Sequence, residues 1–242
     1  MKLLAVDIGN TTINFGLFEN GKLISKKKVL SKKFKSNPYK NYCKAIISSV
    51  VPNLTLKTKK IIKKATVVIN KNIPIKIKIK NPKQVGTDRL VNALAAKKIY
   101  GYPAIIIDSG TATTFDIISK KGEYIGGIIA PGIRISAEAL NEKTAKLPKI
   151  NLTNINKNKL NVVGKNTEEA IKSGIIYGHV GLIREVVNEI RKQNPEIRNA
   201  KIILTGGYSK LLSSFFSFKT DENLTLKGLQ IISENLKVQK LK

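Results

Sequence analysis

Lys2-Leu3-Leu4-Ala5-Val6-Asp7-Ile8-Gly9-Asn10-Thr11-Thr12 opens the chain, and Ala104-Ile105-Ile106-Ile107-Asp108-Ser109-Gly110-Thr111-Ala112-Thr113 repeats its pattern. Each is an apolar run that ends in a carboxylate and passes through glycine into small hydroxylated residues. After the first, Ile13, Phe15 and Leu17 alternate into Glu19-Asn20-Gly21-Lys22, and a new strand starts at Leu23. After the second, Phe115 and Ile117 lead to Lys120-Lys121-Gly122-Glu123, and Tyr124-Ile125 opens a third strand. Period-two alternation closed by Asn-Gly or Lys-Gly predicts hairpins. One offset of 101 residues carries Asp7 onto Asp108, Gly9 onto Gly110, Gly21 onto Gly122 and Thr12 onto Thr113. An internal repeat of this kind predicts two α/β domains of one topology, residues 1–101 and 102–242.

Between and beyond the hairpins, Ala45–Val51 reads as a strand. Ile73–Lys80 alternates isoleucine and lysine and predicts a strand with one wet face. Residues 89–100 and 167–193 have helical spacing, the first stopping before Gly101 and Pro103. Residues 201–204 predict a strand running into Thr205-Gly206-Gly207. The segment after Leu211 carries no motif.

A strand-end Asp followed by Gly and hydroxyl side chains suits a polyphosphate. Glycine lets the backbone approach closely, and N–H groups and hydroxyls donate to phosphate oxygens. The carboxylate can hold Mg²⁺, directly or through water. Two such hairpins facing across a crevice would grip one nucleotide from both sides. One alone is equally an ordinary tight turn.

The 242 residues suffice for two domains, and 42% hydrophobic content excludes global disorder. Cys43 is the single cysteine, so no intramolecular disulfide forms and a reducing compartment is expected. The start of the chain reads as no secretory signal, since Asp7 interrupts the apolar run. No apolar run approaches the ~18 residues of a membrane span. The net charge is +28, but 39 of the 44 basic residues are lysine, and they are spread along the chain. Phosphate and base recognition favours arginine and interleaved aromatics. Compositional drift therefore outweighs a dedicated nucleic-acid surface.

Seven motifs in order resemble the type III pantothenate kinases, a family of the actin/hexokinase-like (ribonuclease H-like) superfamily. They are Asp7-Ile8-Gly9-Asn10-Thr11, Gly86-Thr87-Asp88-Arg89, Asp108-Ser109-Gly110-Thr111-Ala112-Thr113-Thr114, Gly126-Gly127 with Pro131-Gly132, Thr144-Ala145-Lys146-Leu147-Pro148, Gly164-Lys165-Asn166-Thr167 and Thr205-Gly206-Gly207. The resemblance runs from residue 1 to about 210. It implies transfer of the ATP γ-phosphoryl group to pantothenate, giving 4'-phosphopantothenate on the way to coenzyme A. It also implies Mg²⁺, a monovalent cation (K⁺ or NH₄⁺), a cytoplasmic homodimer, and a nucleotide cleft between the domains.

Residue roles follow from that resemblance. Asp88 would be the base, in a substrate-binding group with Gly86, Thr87, Arg89 and Thr167. Asp7, Ile8, Gly9, Asn10, Thr11, Thr12, Ile13 and Asn14 would bind ATP on one side, and Thr111, Gly206 and Gly207 on the other. Asp108 would hold the monovalent cation, and Asp7 would stand near Mg²⁺. Bland alternatives stay beside these. Thr87 or Asp88 also suits the cap of the following helix, and so does Thr167. Gly174, Gly178 and Gly181 predict a helix–helix contact, at the dimer or within the chain. His179 reads as a packed or surface histidine. Ile79 stands where many relatives carry an aromatic, which weakens the expectation for pantothenate. The rival readings are a kinase or phosphatase for another small substrate, and a nucleic-acid-binding relative without activity.

Overall fold

The computed structural model describes residues 1–152 and 155–240, without the side chains of 237–240. Five strands build the first sheet: β1 (Lys2–Ile8), β2 (Thr12–Glu19), β3 (Lys22–Leu30), β4 (Lys44–Ser49) and β5 (Ala65–Val67). Helices α1 (Pro52–Ile61) and α2 (Thr87–Ile99) complete this part of the chain. The second sheet contains β6 (Ala104–Ser109), β7 (Ala112–Ile118), β8 (Tyr124–Pro131), β9 (Lys201–Thr205) and β10 (Lys219–Thr220). Its helices are α3 (Ile133–Lys143), α4 (Thr167–Gln193) and the short α5 (Ser209–Leu212), and α6 (Leu224–Lys240) ends the described chain.

The duplication is complete at the level of topology. Sheet orders are β3-β2-β1-β4-β5 and β8-β7-β6-β9-β10. In both, the first two strands are antiparallel and the first, fourth and fifth run parallel. The chain forms two compact units, one around each sheet, with the first two residues of β8 in the first unit. One holds Met1–Gly101, Gly122–Ile125 and the chain from Asn223 through α6; the other holds Tyr102–Lys121 and Gly126–Glu222. The sequence reading assigned residues 102–242 to one domain, but α6 packs on the first unit. Leu224, Leu226, Leu229 and Ile232 are buried there. Thr225 Oγ1 donates to Asn92 Oδ1 at 2.7 Å, and Gly228 lies so close to the Val91 backbone that a Cβ would overlap it.

Buried aliphatic and aromatic side chains fill the first core: Leu4, Val6, Ile8, Ile13, Phe15, Phe34 and Ile47 among them. Asn20 and Gly21, at φ +49° and +81°, make the two-residue turn that the Asn-Gly pair predicts. The 27-residue α4 spans Thr167–Gln193 as its spacing predicts, with Ile171, Ile175, Ile176, Val180, Ile183, Val187 and Ile190 buried along one face.

Two further sequence expectations fail. Ile73–Lys80 forms no strand, and Ile77 makes a single bridge to Tyr124. The alternation of burial is present, since Ile73 and Ile75 are buried and Lys76, Lys78 and Lys80 exposed. What is missing is a continuous partner, and Pro74 has no N–H to offer one. The repeat also slips by one residue inside the hairpin. Asp7 pairs with Asn14, but Asp108 pairs with Thr114, so the second turn is one residue shorter. Thr12 therefore corresponds to Ala112, and the counterpart of Thr113 is Ile13.

Candidate functional site

In the first unit the β1–β2 turn is braced from its own backbone and from the next loop. Gly9 N donates to Thr12 O at 3.0 Å, Ser31 N donates to Thr11 O at 2.9 Å, and Ser31 Oγ donates to Gly9 O at 2.8 Å. Asn10 is exposed at the tip, with Thr11 and Thr12 half-exposed beside it. Ile8 and Ile13 point into the core, so only their backbones can meet a ligand. Asp7 ends β1, and Asn14 Nδ2 donates to its Oδ2 at 3.2 Å.

Asp88 sits in the first turn of α2. Gly86 is the N-cap residue, with no side-chain cap, and a Cβ there would meet Asp88 Oδ1 at 2.5 Å. Thr87 Oγ1 turns away to Asn70 Oδ1 at 3.2 Å, while Asp88 Oδ1 accepts from Arg89 N at 2.9 Å. Asp88 thus takes part of the capping task that its position allowed, and Thr87 does not.

Electrostatics join the two carboxylates. Burial raises the pKa of Asp7 to about 7, the negative charge of Asp88 adds to the rise, and the Asn14 amide opposes it. Burial likewise raises Asp88, against the Arg89 N–H and guanidinium, which lower it. The result is a pair of desolvated, mutually repelling carboxyl groups. That arrangement costs stability and is characteristic of functional sites. A hard cation with oxygen ligands relieves such a pair. Among the described residues no cluster of three or more His, Cys, Asp or Glu could hold a metal ion by itself.

The second unit gathers motifs far apart in sequence around the β6–β7 turn. Gly110 N donates to Ala112 O at 3.0 Å. Gly132, between β8 and α3, touches that turn: a Cβ would overlap Thr111 O and lie 2.8 Å from Gly110 O. Gly206 has φ +92°, and a Cβ there would overlap Asp108 Oδ1 and lie 2.7 Å from Ser109 O. Only glycine fits both places. Tyr208 N donates to Ser109 O at 3.0 Å, and Ser209 Oγ donates to Gly206 O at 2.7 Å, so the glycine loop is tied to β6. Asp108 and Thr111 are half-exposed here, and Gly207 is exposed.

Thr167 is exposed at the start of α4, and its bland alternative is removed. Asn166 is the cap, its Oδ1 accepting from Glu169 N at 2.9 Å, while Glu169 Oε2 accepts from Lys165 N at 2.9 Å. Gly174, Gly178 and Gly181 lie on the exposed face of α4, and a Cβ on any of them would meet nothing within 4 Å. Packing within the chain does not account for them. Sequence reasoning passed over the brace at Ser31, whose signal is a lone serine at a strand end, and gave Asn14 no role toward Asp7.

Residues 3–189 match the family model of type III pantothenate kinase. The chain belongs to the type III pantothenate kinase family. Membership places it among ATP-using kinases. A type III pantothenate kinase of Dehalococcoides mccartyi (strain ATCC BAA-2100 / JCM 16839 / KCTC 5957 / BAV1) is 40% identical over 262 residues, covering 98% of this chain and 97% of the relative. One from Persephonella marina is 41% identical over 251 residues, covering 94% and 96%. Solved structures share the fold. A Campylobacter jejuni protein assigned to a Baf family of transcriptional activators superposes with a TM-score of 0.66 at 24% identity, covering 97% of this chain and 99% of that one. An archaeal actin homologue gives 0.50 at 10% identity, covering 97% and 100%. The chain thus has the actin/hexokinase-like fold.

Proposed function

We propose that the protein transfers the γ-phosphoryl group of ATP to the primary hydroxyl of pantothenate, making 4'-phosphopantothenate for coenzyme A biosynthesis. The observation that carries this reading, given the family, is the Asp7–Asp88 pair. A carboxylate raised by burial accepts a proton more readily than an exposed one, and Asp88 is so raised beside the strand end that carries Asp7. Asp88 orients the attacking hydroxyl and takes its proton late, because the phosphoryl-transfer transition state is loose. Arg89 offers a planar fork for the pantothenate carboxylate or amide oxygen. Gly86, Thr87 and Thr167 complete the acceptor site.

Asp7 through Asn14 are the ATP-binding residues of the first unit, and Thr111, Gly206 and Gly207 those of the second. Asp7 would hold Mg²⁺, directly or through water, and the bound ion would neutralise developing phosphate charge. Asp108, beside the Ser109 carbonyl, offers oxygen donors suited to K⁺ or NH₄⁺. The open glycine face of α4 is the homodimer surface, which brings Thr167 of one copy to the other's substrate. Cys43, an exposed free thiol, suits a cytoplasmic setting.

ADP release by the purified protein tests the reading, with Mg²⁺-ATP, with and without pantothenate, in K⁺ and then Na⁺ buffer. Pantothenate-dependent, K⁺-favoured release is expected. Release indifferent to pantothenate would move the search to another acceptor. The +28 charge motivates one further measurement, DNA binding at physiological salt. Equal, steeply salt-dependent affinity for random and chosen sequences is expected of a lysine-rich surface.

A further inference from the structure

Beneath the β6–β7 turn lies a buried polar pair with no counterpart in the first unit. Thr113 Oγ1 and His179 Nε2 are 2.8 Å apart. Thr113 is fully buried and His179 is 5% exposed on the inner face of α4. Burial holds the imidazole below its ordinary pKa, so both partners are neutral. Ser109, directly across the ladder from Thr113, is also buried, and its Oγ has no hydrogen-bond partner among the described residues. At the corresponding ladder position of the first unit stand Ile8 and Ile13, both fully buried. The topology therefore accepts an apolar pair here. A buried hydroxyl and imidazole fix each other firmly, because either left unpaired is costly.

We propose that His179 is a positioning residue: by holding Thr113 it locks the backbone of Gly110-Thr111-Ala112 against α4 and so sets the second nucleotide grip. This rests on the reading of Asp108–Thr111 as part of the nucleotide and cation site. Three supports converge on that short turn. Gly132 backs it through Thr111 O and Gly110 O, Gly206 abuts Asp108, and His179 anchors the strand that leaves it. The glycine contacts exclude bulk without fixing a direction. The Thr113–His179 bond is directional, and it ties the turn to the helix whose first residue is Thr167.

The double variant T113V/H179L tests this, since removing both partners strands neither group. Its melting temperature is expected within about 3 °C of the unaltered chain's. Two readouts separate positioning from mere packing. Hydrogen exchange of the amides of residues 110–112, without any ligand, should accelerate about tenfold, the scale of one lost hydrogen bond. The dissociation constant for Mg²⁺-ADP in K⁺ buffer should rise by a similar factor, and T113S, which keeps the hydroxyl, should restore it. A stable double variant with unchanged exchange at the turn overturns the proposal, whatever ADP does. Faster exchange with unchanged ADP affinity overturns its nucleotide half. Failure of the unaltered chain to bind ADP overturns the nucleotide reading beneath it, while the exchange measurement still decides the positioning. Should the double variant not fold, T113V, which removes the hydroxyl without changing the shape of the side chain, is read by the same exchange measurement, with acceleration expected and its absence decisive against.

Discussion

The two hairpins share one topology and solve the same packing problem with opposite chemistry. In the first, Ile8 and Ile13 seal the turn from below, and the polar investment lies on the other face, where Asp7, Asn14 and Asp88 converge. In the second, the underside itself is polar, with Ser109, Thr113 and His179, and glycines from two distant loops close against the turn. A duplicated unit thus keeps strand order and direction and diverges in what holds the loop still. The first turn is stiffened by its core and by Ser31; the second depends on directional and steric contacts from helices and loops elsewhere in the unit.

Asp88→Asn would break the comparison most severely, because it removes the chemistry from one side only. Turnover should fall about 10³-fold, within the range of general-base effects, while ADP affinity stays within about threefold. Near-normal turnover would take Asp88 out of the base role. Glycine substitutions come next. In Gly132→Ala the new methyl overlaps Thr111 O, whereas in Gly9→Ala it meets Thr12 O at 3.3 Å. ADP affinity should drop about tenfold or more for the first and less than threefold for the second. Equal effects would mean that the turns are held alike.

Asp7→Asn sharpens the electrostatic side. The carboxyl titrates near 7 in the folded chain against an ordinary 3.8, so between those values the folded state binds a proton that the unfolded state does not. Stability from this group therefore falls as pH rises through that window. The amide should raise the melting temperature at pH 8 by on the order of 5 °C, with the gain shrinking toward pH 5. Phosphoryl transfer should be lost at the same time. A gain independent of pH would show that charge burial is not its source. The smallest effect expected is that of Ile13→Thr, which imports the second hairpin's residue without its histidine. An unpaired hydroxyl in that core should cost about 1–3 kcal/mol, seen as a lower midpoint in urea.

Much of this was legible in the sequence. Strand-end Asp7 and Asp108, the Asn-Gly turn, the limits of α4 and the motif order were all readable, because period-two alternation and turn chemistry are local signals. Four features were not. The one-residue slip between Thr12 and Thr113 is invisible to a fixed offset, since Asp and Gly match on both sides of it. Ile73–Lys80 alternates like a strand, yet strand formation needs a neighbouring backbone that no local pattern reports. The Thr113–His179 bond joins residues 66 positions apart, and a solitary histidine gives no spacing to read. Helix α6 also went unread, though Leu224, Leu229 and Ile232 have helical spacing, because a short apolar stripe does not say which sheet it covers.

That last helix has a consequence for synthesis. The first unit needs α6 to cover Leu226 against β2 and Gly228 against α2, yet these residues leave the ribosome after everything in the second unit. The half made first is therefore finished last. A nascent chain arrested after residue 222 should carry a second unit ready to fold and a first unit with its hydrophobic face still open, the state in which chaperone capture and proteolysis act most readily.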